Sequence, residues 1–83
     1  MENVTKYDYS RKISQNRNRG NIDEAIDLAL EAKKKYPKEN IFEKFLGDLY
    51  FQKNNYEASG NAYIEFLLKI DGHVEYVKHF AQF

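Results

Sequence analysis

The two histidines, His73 and His79, stand six residues apart, and no third ligand of obvious spacing accompanies them. A metal pair on one helix face needs a spacing of four, so no metal site is expected. Glu75 and His79 do stand at i and i+4. On a helix such a pair is a solvated contact contributing ~0.2–0.5 kcal/mol, and nothing around it suggests an acid–base couple. Ser10, Ser14 and Ser59 lack the strained Gly-flanked turn that exposes a nucleophilic hydroxyl. Gly20, Gly47, Gly60 and Gly72 are isolated and none opens a Gly-Lys-Ser or Gly-Lys-Thr run, so no backbone cradle for a nucleotide phosphate is expected. The chain has no Cys. That removes thiolate ligands, a Cys nucleophile and any disulfide, and it points to a reducing compartment, with the cytoplasm as the default location. The expectation is a protein that is not an enzyme and takes no cofactor and no small-molecule substrate.

Recognition chemistry is what remains. Thirteen basic and thirteen acidic side chains cancel, whereas affinity for nucleic acid rests on a basic excess that neutralises phosphates. Nucleic acid is therefore not the expected partner. Residues 1–19 carry Lys6, Arg11, Lys12, Arg17 and Arg19 against Glu2 and Asp8, a net +3 that the rest of the chain balances. Arg11, Lys12, Arg17 and Arg19 form the better patch for an anionic partner. Lys33, Lys34 and Lys35 precede a helix end, where the macrodipole and solvation explain them. No stretch of ~18 apolar residues occurs, so no membrane insertion is expected.

These side chains must be held by elements that the remaining pattern defines. At 83 residues the chain allows one domain with a small core, and 42% apolar residues, with seven Tyr and six Phe, supply bulk to fill it. One Pro and four Gly suit a few long helices better than the many tight turns of a sandwich or barrel. Gly20-Asn21 closes a polar run and opens a helix with Asp23 and Glu24 in its first turn, Lys33 to Lys35 in its last, and Pro37 as its stop. Ile22, Ala25, Ile26, Ala29, Ala32 and Tyr36 recur at helical spacing along its inward face, leaving Asp27, Glu31 and Lys34 outward. A helix over about 40–53 carries Ile41, Phe42, Phe45, Leu46, Leu49 and Tyr50 at helical spacing and reads as buried on two sides. Another covers about 56–70, with Ala62, Tyr63, Phe66, Leu67 and Ile70 inward, ending at Asp71-Gly72. Thr5 to Asn18 forms a weaker first helix through Tyr9 and Ile13, and Val74 to Phe83 begins a fifth.

The chain also matches itself at a shift of 34 residues. Ile22 meets Tyr56, Ala25 meets Ser59, Ala29 meets Tyr63, Ala32 meets Phe66, and Leu46-Gly47 meets Phe80-Ala81. The turn Gly20-Asn21 falls on Asn54-Asn55. Leu46-Gly47 with Tyr50, Ala25 with Ala29, and Pro37 at the repeat's end resemble the tetratricopeptide repeat, over about residues 6–83 and most closely from Gly20 to Tyr50. Glu43 stands where that family often has Trp, Ser59 where it has Ala, and Asp71 where it has the closing Pro. Lys12-Ile13 stands where Leu-Gly is expected, and a one-residue displacement of the first helix would put Ile13 and Ser14 in those slots. The resemblance implies an all-α domain of antiparallel helix pairs stacked as a short right-handed solenoid. Its units are residues 6–39, 40–73 and the start of a third over 74–83.

The same resemblance implies a protein-binding scaffold whose first helices line a concave groove. Contacts to a protein or peptide would then come from Lys44, Asp48, Phe51 and Gln52 on the second unit. Arg11, Ser14 and Arg17 would continue the groove on the first, and Lys78 and Gln82 would close it on the third. Phe51 has two readings, an anchor presented to the partner or a side chain packed on the next helix. The family's clamp for a terminal carboxylate is not reproduced, since Ser10, Ser14, Lys44 and Asp48 occupy its positions. Val74, Val77, Phe80 and Phe83 form an apolar stripe with nothing after it. Either the chain is a piece of a longer protein or two copies bury these stripes in a homodimer. The second alternative makes the domain an oligomerisation or structural part of a larger assembly with no separate ligand.

Overall fold

The structure, a computed structural model, describes residues 5–71. They form four α-helices, α1 (Lys6–Asn18), α2 (Ile22–Lys35), α3 (Ile41–Gln52) and α4 (Tyr56–Asp71). Each helix packs on the next, and α1 also touches α3. The early part of α1 meets the late part of α2 through Tyr9 and Glu31. Lys53 after α3 meets Asp23 at the start of α2, and Lys69 late in α4 meets Glu43 early in α3. Neighbouring helices are thus antiparallel, and the architecture is an all-α succession of helix pairs. The predicted expectations for residues 74–83, including Val74, Val77, Lys78, Phe80, Gln82 and Phe83, lie outside the described residues.

Local chemistry fixes the helix ends. Thr5 caps α1 reciprocally: its hydroxyl accepts from the Asp8 N–H at 3.3 Å, and Asp8 Oδ2 accepts from the Thr5 N–H at 3.0 Å. This bond to the backbone, ahead of the Arg11 guanidinium, holds the Asp8 carboxyl below its ordinary range. At the other end of α1 the Gly20 N–H bonds Arg17 O (3.0 Å) and the Asn21 N–H bonds Asn16 O (2.8 Å). After α3 the Asn54 N–H bonds Phe51 O and the Asn55 N–H bonds Tyr50 O, both at 2.9 Å. The pivot residues have positive φ, 82° at Gly20 and 65° at Asn54. Both turns are the same Schellman closure, and each of its parts recurs 34 residues later. α2 ends at Lys35, two residues before Pro37, which pushes the intervening Tyr36 out of the helical region.

Two uninterrupted helices that enter identical turns share one register, so the shift of 34 extends back through α1. Ile13 therefore stands where Gly47 does, and Lys12 where Leu46 does. The one-residue displacement that would seat Ile13 and Ser14 in the Leu-Gly slots does not occur. Lys12 is exposed while Leu46 is buried, for a physical reason: α3 lies between α2 and α4, whereas α1 packs on α2 and touches α3 alone.

The core comprises Tyr9 and Ile13 of α1, the alanines Ala25, Ala29 and Ala32 with Ile26 of α2, Phe42, Leu46 and Leu49 of α3, and Ala62 of α4. Tyr9, Tyr36 and Phe42 meet with ring centroids 6.2–6.4 Å apart, closing one end. α3 is buried on two sides, as its pattern predicts. At the α3–α4 crossing Gly47 leaves room for the Tyr63 ring, because a Cβ there would fall 2.6 Å from Tyr63 Cε1. At the matching positions of the first hairpin the sizes are exchanged, with Ile13 opposite the small Ala29, both fully buried. The two hairpins fill equivalent seams with opposite partitions of volume.

Candidate partner-binding face

Ile41, Lys44, Asp48 and Phe51 follow one another at spacings of three and four along α3, which places them on one face. On the neighbouring α1, Ser10, Ser14 and Arg17 share a face by the same rule. The two faces meet where Arg17 Nη1 comes 4.0 Å from Asp48 Oδ2. Lys44 Nζ approaches the same oxygen to 3.6 Å. Neither distance is a hydrogen bond, so both cations feel the carboxylate while their N–H groups stay available to solvent or a ligand. The other oxygen, Asp48 Oδ1, accepts from the Tyr63 hydroxyl of α4. That bond comes first among the causes that push the Tyr63 phenol up to about 12, followed by burial and the carboxylate's charge, with Arg17 acting in the opposite direction.

Asp48 is thus a fixed centre: α4 holds it through Tyr63, Tyr63 seats over Gly47, and the cations gather around it from α1 and α3. Arg17 and Lys44 are exposed and Asp48 is half-buried. Apolar side chains stand at both ends of this charged centre. Ile41 lies one turn before Lys44 and is exposed. Phe51 lies one turn after Asp48 with 58% of its surface accessible. Its ring meets Tyr56 of α4 edge to face with centroids 5.3 Å apart, so the side chain packs on the next helix while much of it stays exposed.

Of the other predicted contact residues, Gln52 is exposed on the last turn of α3 and Ser14 is half-buried. Arg11 is drawn to Asp8 at 3.0 Å along α1. Ser10 turns its hydroxyl back to Lys6 O at 3.1 Å. The structure therefore brings Arg17, Lys44 and Asp48 into one cluster with Phe51 beside it, and leaves Arg11 engaged within its own helix.

Two further features carry charge into the interior. Glu43, at the predicted Trp slot, is fully buried, and Lys69 Nζ donates to its Oε2 at 2.5 Å. Its Oε1 has no hydrogen-bond donor among the described residues. In the first hairpin Tyr9 holds the equivalent place, with Lys35 Nζ 5.5 Å from the centre of its ring. Tyr9 donates to Glu31, which together with burial raises its pKa against the opposing pull of Lys35. These pairs were not anticipated from composition, although Glu43 in an apolar slot and Lys69 one helix pair beyond Lys35 were a readable signal.

α4 departs from expectation. Leu67 and Ile70, predicted inward, are exposed, with Ile64 and Leu68 beside them. A Cβ at Gly60 would meet nothing within 4 Å. On α2 the residue equivalent to Gly60 is Ile26, which is buried in the core. The difference is the next helix: α3 packs against α2, and no described element covers the corresponding face of α4. Among the described residues no group of three acidic, His or Cys side chains gathers as metal ligands. No described helix is long and apolar enough to cross a membrane.

No family model, curated protein or solved structure matches the chain.

Proposed function

We propose that the chain is a protein-binding module of the tetratricopeptide kind, acting without catalysis in the cytoplasm, and that it engages a partner protein or peptide on the face shared by α1 and α3. The observation that carries this reading is the convergence of Arg17 and Lys44 on Asp48, itself pinned by Tyr63, next to the exposed Phe51. Preorganised charge beside an aromatic anchor is what recognition surfaces use. The identical Schellman turns support the repeat reading, and the lack of Cys fits a reducing compartment.

The test is selection of a random peptide library on the chain, followed by binding to Phe51→Ala and Lys44→Ala variants. Ligands that lose at least about tenfold in affinity to each variant, with unchanged thermal midpoints, support the reading. Selected ligands indifferent to both substitutions contradict it.

A second reading, an oligomerisation or structural domain without a separate ligand, is favoured by the exposed Ile64, Leu67, Leu68 and Ile70 of α4. It predicts concentration-dependent mass in sedimentation that Leu67→Glu abolishes. A monomer at millimolar concentration rejects it.

A further inference from the structure

The charge arrangement on the α1–α3 face specifies more than a site of binding. Asp48 supplies one negative charge to two cations, and its Oδ1 is already taken by Tyr63. Arg17 and Lys44 each stand beyond hydrogen-bond distance of Oδ2, so together they retain an uncompensated positive charge and unused donors. The acidic Asp8 of α1 is already engaged by Arg11 and the Thr5 N–H. An anionic group seated between Arg17 and Lys44 gains two charge-assisted contacts. A cationic group there gains only Asp48, which is partly screened already.

Geometry adds a second requirement. Phe51 lies three residues beyond Asp48 on α3, about 5 Å along the helix axis. An extended peptide repeats side chains on one side about every 7 Å. Side chains two residues apart therefore reach both the cations and the ring. We propose that the occupant of this face is an internal peptide segment with an acidic side chain between Arg17 and Lys44 and an apolar side chain two residues away against Phe51. This rests on the protein-binding reading above and names the chemistry of the partner. A nucleic-acid strand fits less well: it brings charge at every step, whereas Asp48 stands fixed among the cations and the chain as a whole is neutral.

The test uses the full chain and three hexapeptides, acetylated and amidated so that no terminal carboxylate contributes. They are identical except for Glu, Gln or Lys two positions before a Leu. Amide chemical-shift titration reads both affinity and location, and works for millimolar affinities. The expected result is saturation at the amides of Arg17, Lys44, Asp48 and Phe51, with the Glu peptide bound at least about fivefold more tightly than the Gln peptide. In an Arg17→Glu, Lys44→Glu variant, whose substitutions are at exposed positions, the preference passes to the Lys peptide. Equal binding of the Glu and Gln peptides at this face, or an unchanged preference in the double variant, overturns the inference and leaves the protein-binding reading standing. Absence of shifts at this face with all three peptides overturns both. A mixed-sequence RNA oligonucleotide that displaces the Glu peptide from the same amides, with steep salt dependence, also overturns it.

Discussion

Replacing Gly47 by Ala places a methyl carbon 2.6 Å from Tyr63 Cε1, 2.7 Å from Cδ1 and 2.8 Å from Cζ. Carbon atoms in ordinary contact sit about 3.5–4.0 Å apart, so the ring must retreat by about 1 Å. The near atoms belong to a stiff ring whose hydroxyl is bound to Asp48, so the retreat also weakens that bond. Overpacking costs about 1–3 kcal/mol, the weakened hydrogen bond about 1 kcal/mol, and the better helix propensity of Ala returns about 1 kcal/mol. The net is a destabilisation of about 1–3 kcal/mol. For a domain of this size each kcal/mol lowers the midpoint by about 4–8 °C. The assay is thermal and urea unfolding followed by circular dichroism, in a cycle with Tyr63→Ala, the residue the first hairpin carries at Ala29. Without the ring, Gly47→Ala stabilises by about 0.5–1 kcal/mol, because only the helix-propensity gain remains. If Gly47→Ala is neutral or stabilising while Tyr63 is intact, the close seam is refuted.

Lys69→Met leaves the Glu43 carboxylate buried without its cation and destabilises by about 3 kcal/mol, while Glu43→Leu with Lys69→Met returns to within about 1 kcal/mol of the parent; urea midpoints decide both. The raised Tyr63 pKa favours the protonated phenol in the folded state. Its contribution is therefore complete below the unfolded value near 10 and is lost as pH rises towards about 12. Tyr63→Phe flattens the alkaline fall of stability relative to the parent, and identical pH profiles between pH 9 and 12 would contradict the Asp48 bond. At the α3–α4 turn, Asn54→Gly leaves stability equal or higher by a few tenths of a kcal/mol, whereas Asn54→Ala lowers it by about 1 kcal/mol, because φ is positive there. Equal midpoints for the two variants would show that the closure is not left-handed in solution.

Much of the fold is legible in the sequence because helix punctuation is local chemistry. Gly20-Asn21, Pro37 and Asn54-Asn55 mark the helix ends within a residue or two, and the stripe from Ala25 to Ala32 identifies the buried side of α2. The register of α1 was less readable. Lys12 is exposed because no described element packs on its side of α1, whereas α4 packs on α3, and that depends on neighbours and not on residue type. Similarly, Leu67 and Ile70 repeat at helical spacing like any core stripe, but spacing alone does not say whether a neighbour arrives to cover them. At the candidate face, Arg17, Lys44, Asp48 and Phe51 follow from the resemblance, which assigns the groove to the first helices, with helical spacing putting Lys44, Asp48 and Phe51 on one side of α3. Tyr63 did not, because its bond to Asp48 joins two helices across a crossing whose closeness depends on Gly47. The buried Glu43–Lys69 pair escaped for the same reason, being separated by 26 residues and joined only by packing.

The measurement that bears most directly on the account is the map of amide shifts produced by the tightest library-selected ligand on the uniformly labelled chain. The expected changes concentrate at Arg17, Lys44, Asp48 and Phe51, with the amides of Ile64, Leu67 and Leu68 unmoved. Changes confined to α4, with the α1–α3 face silent, would contradict it.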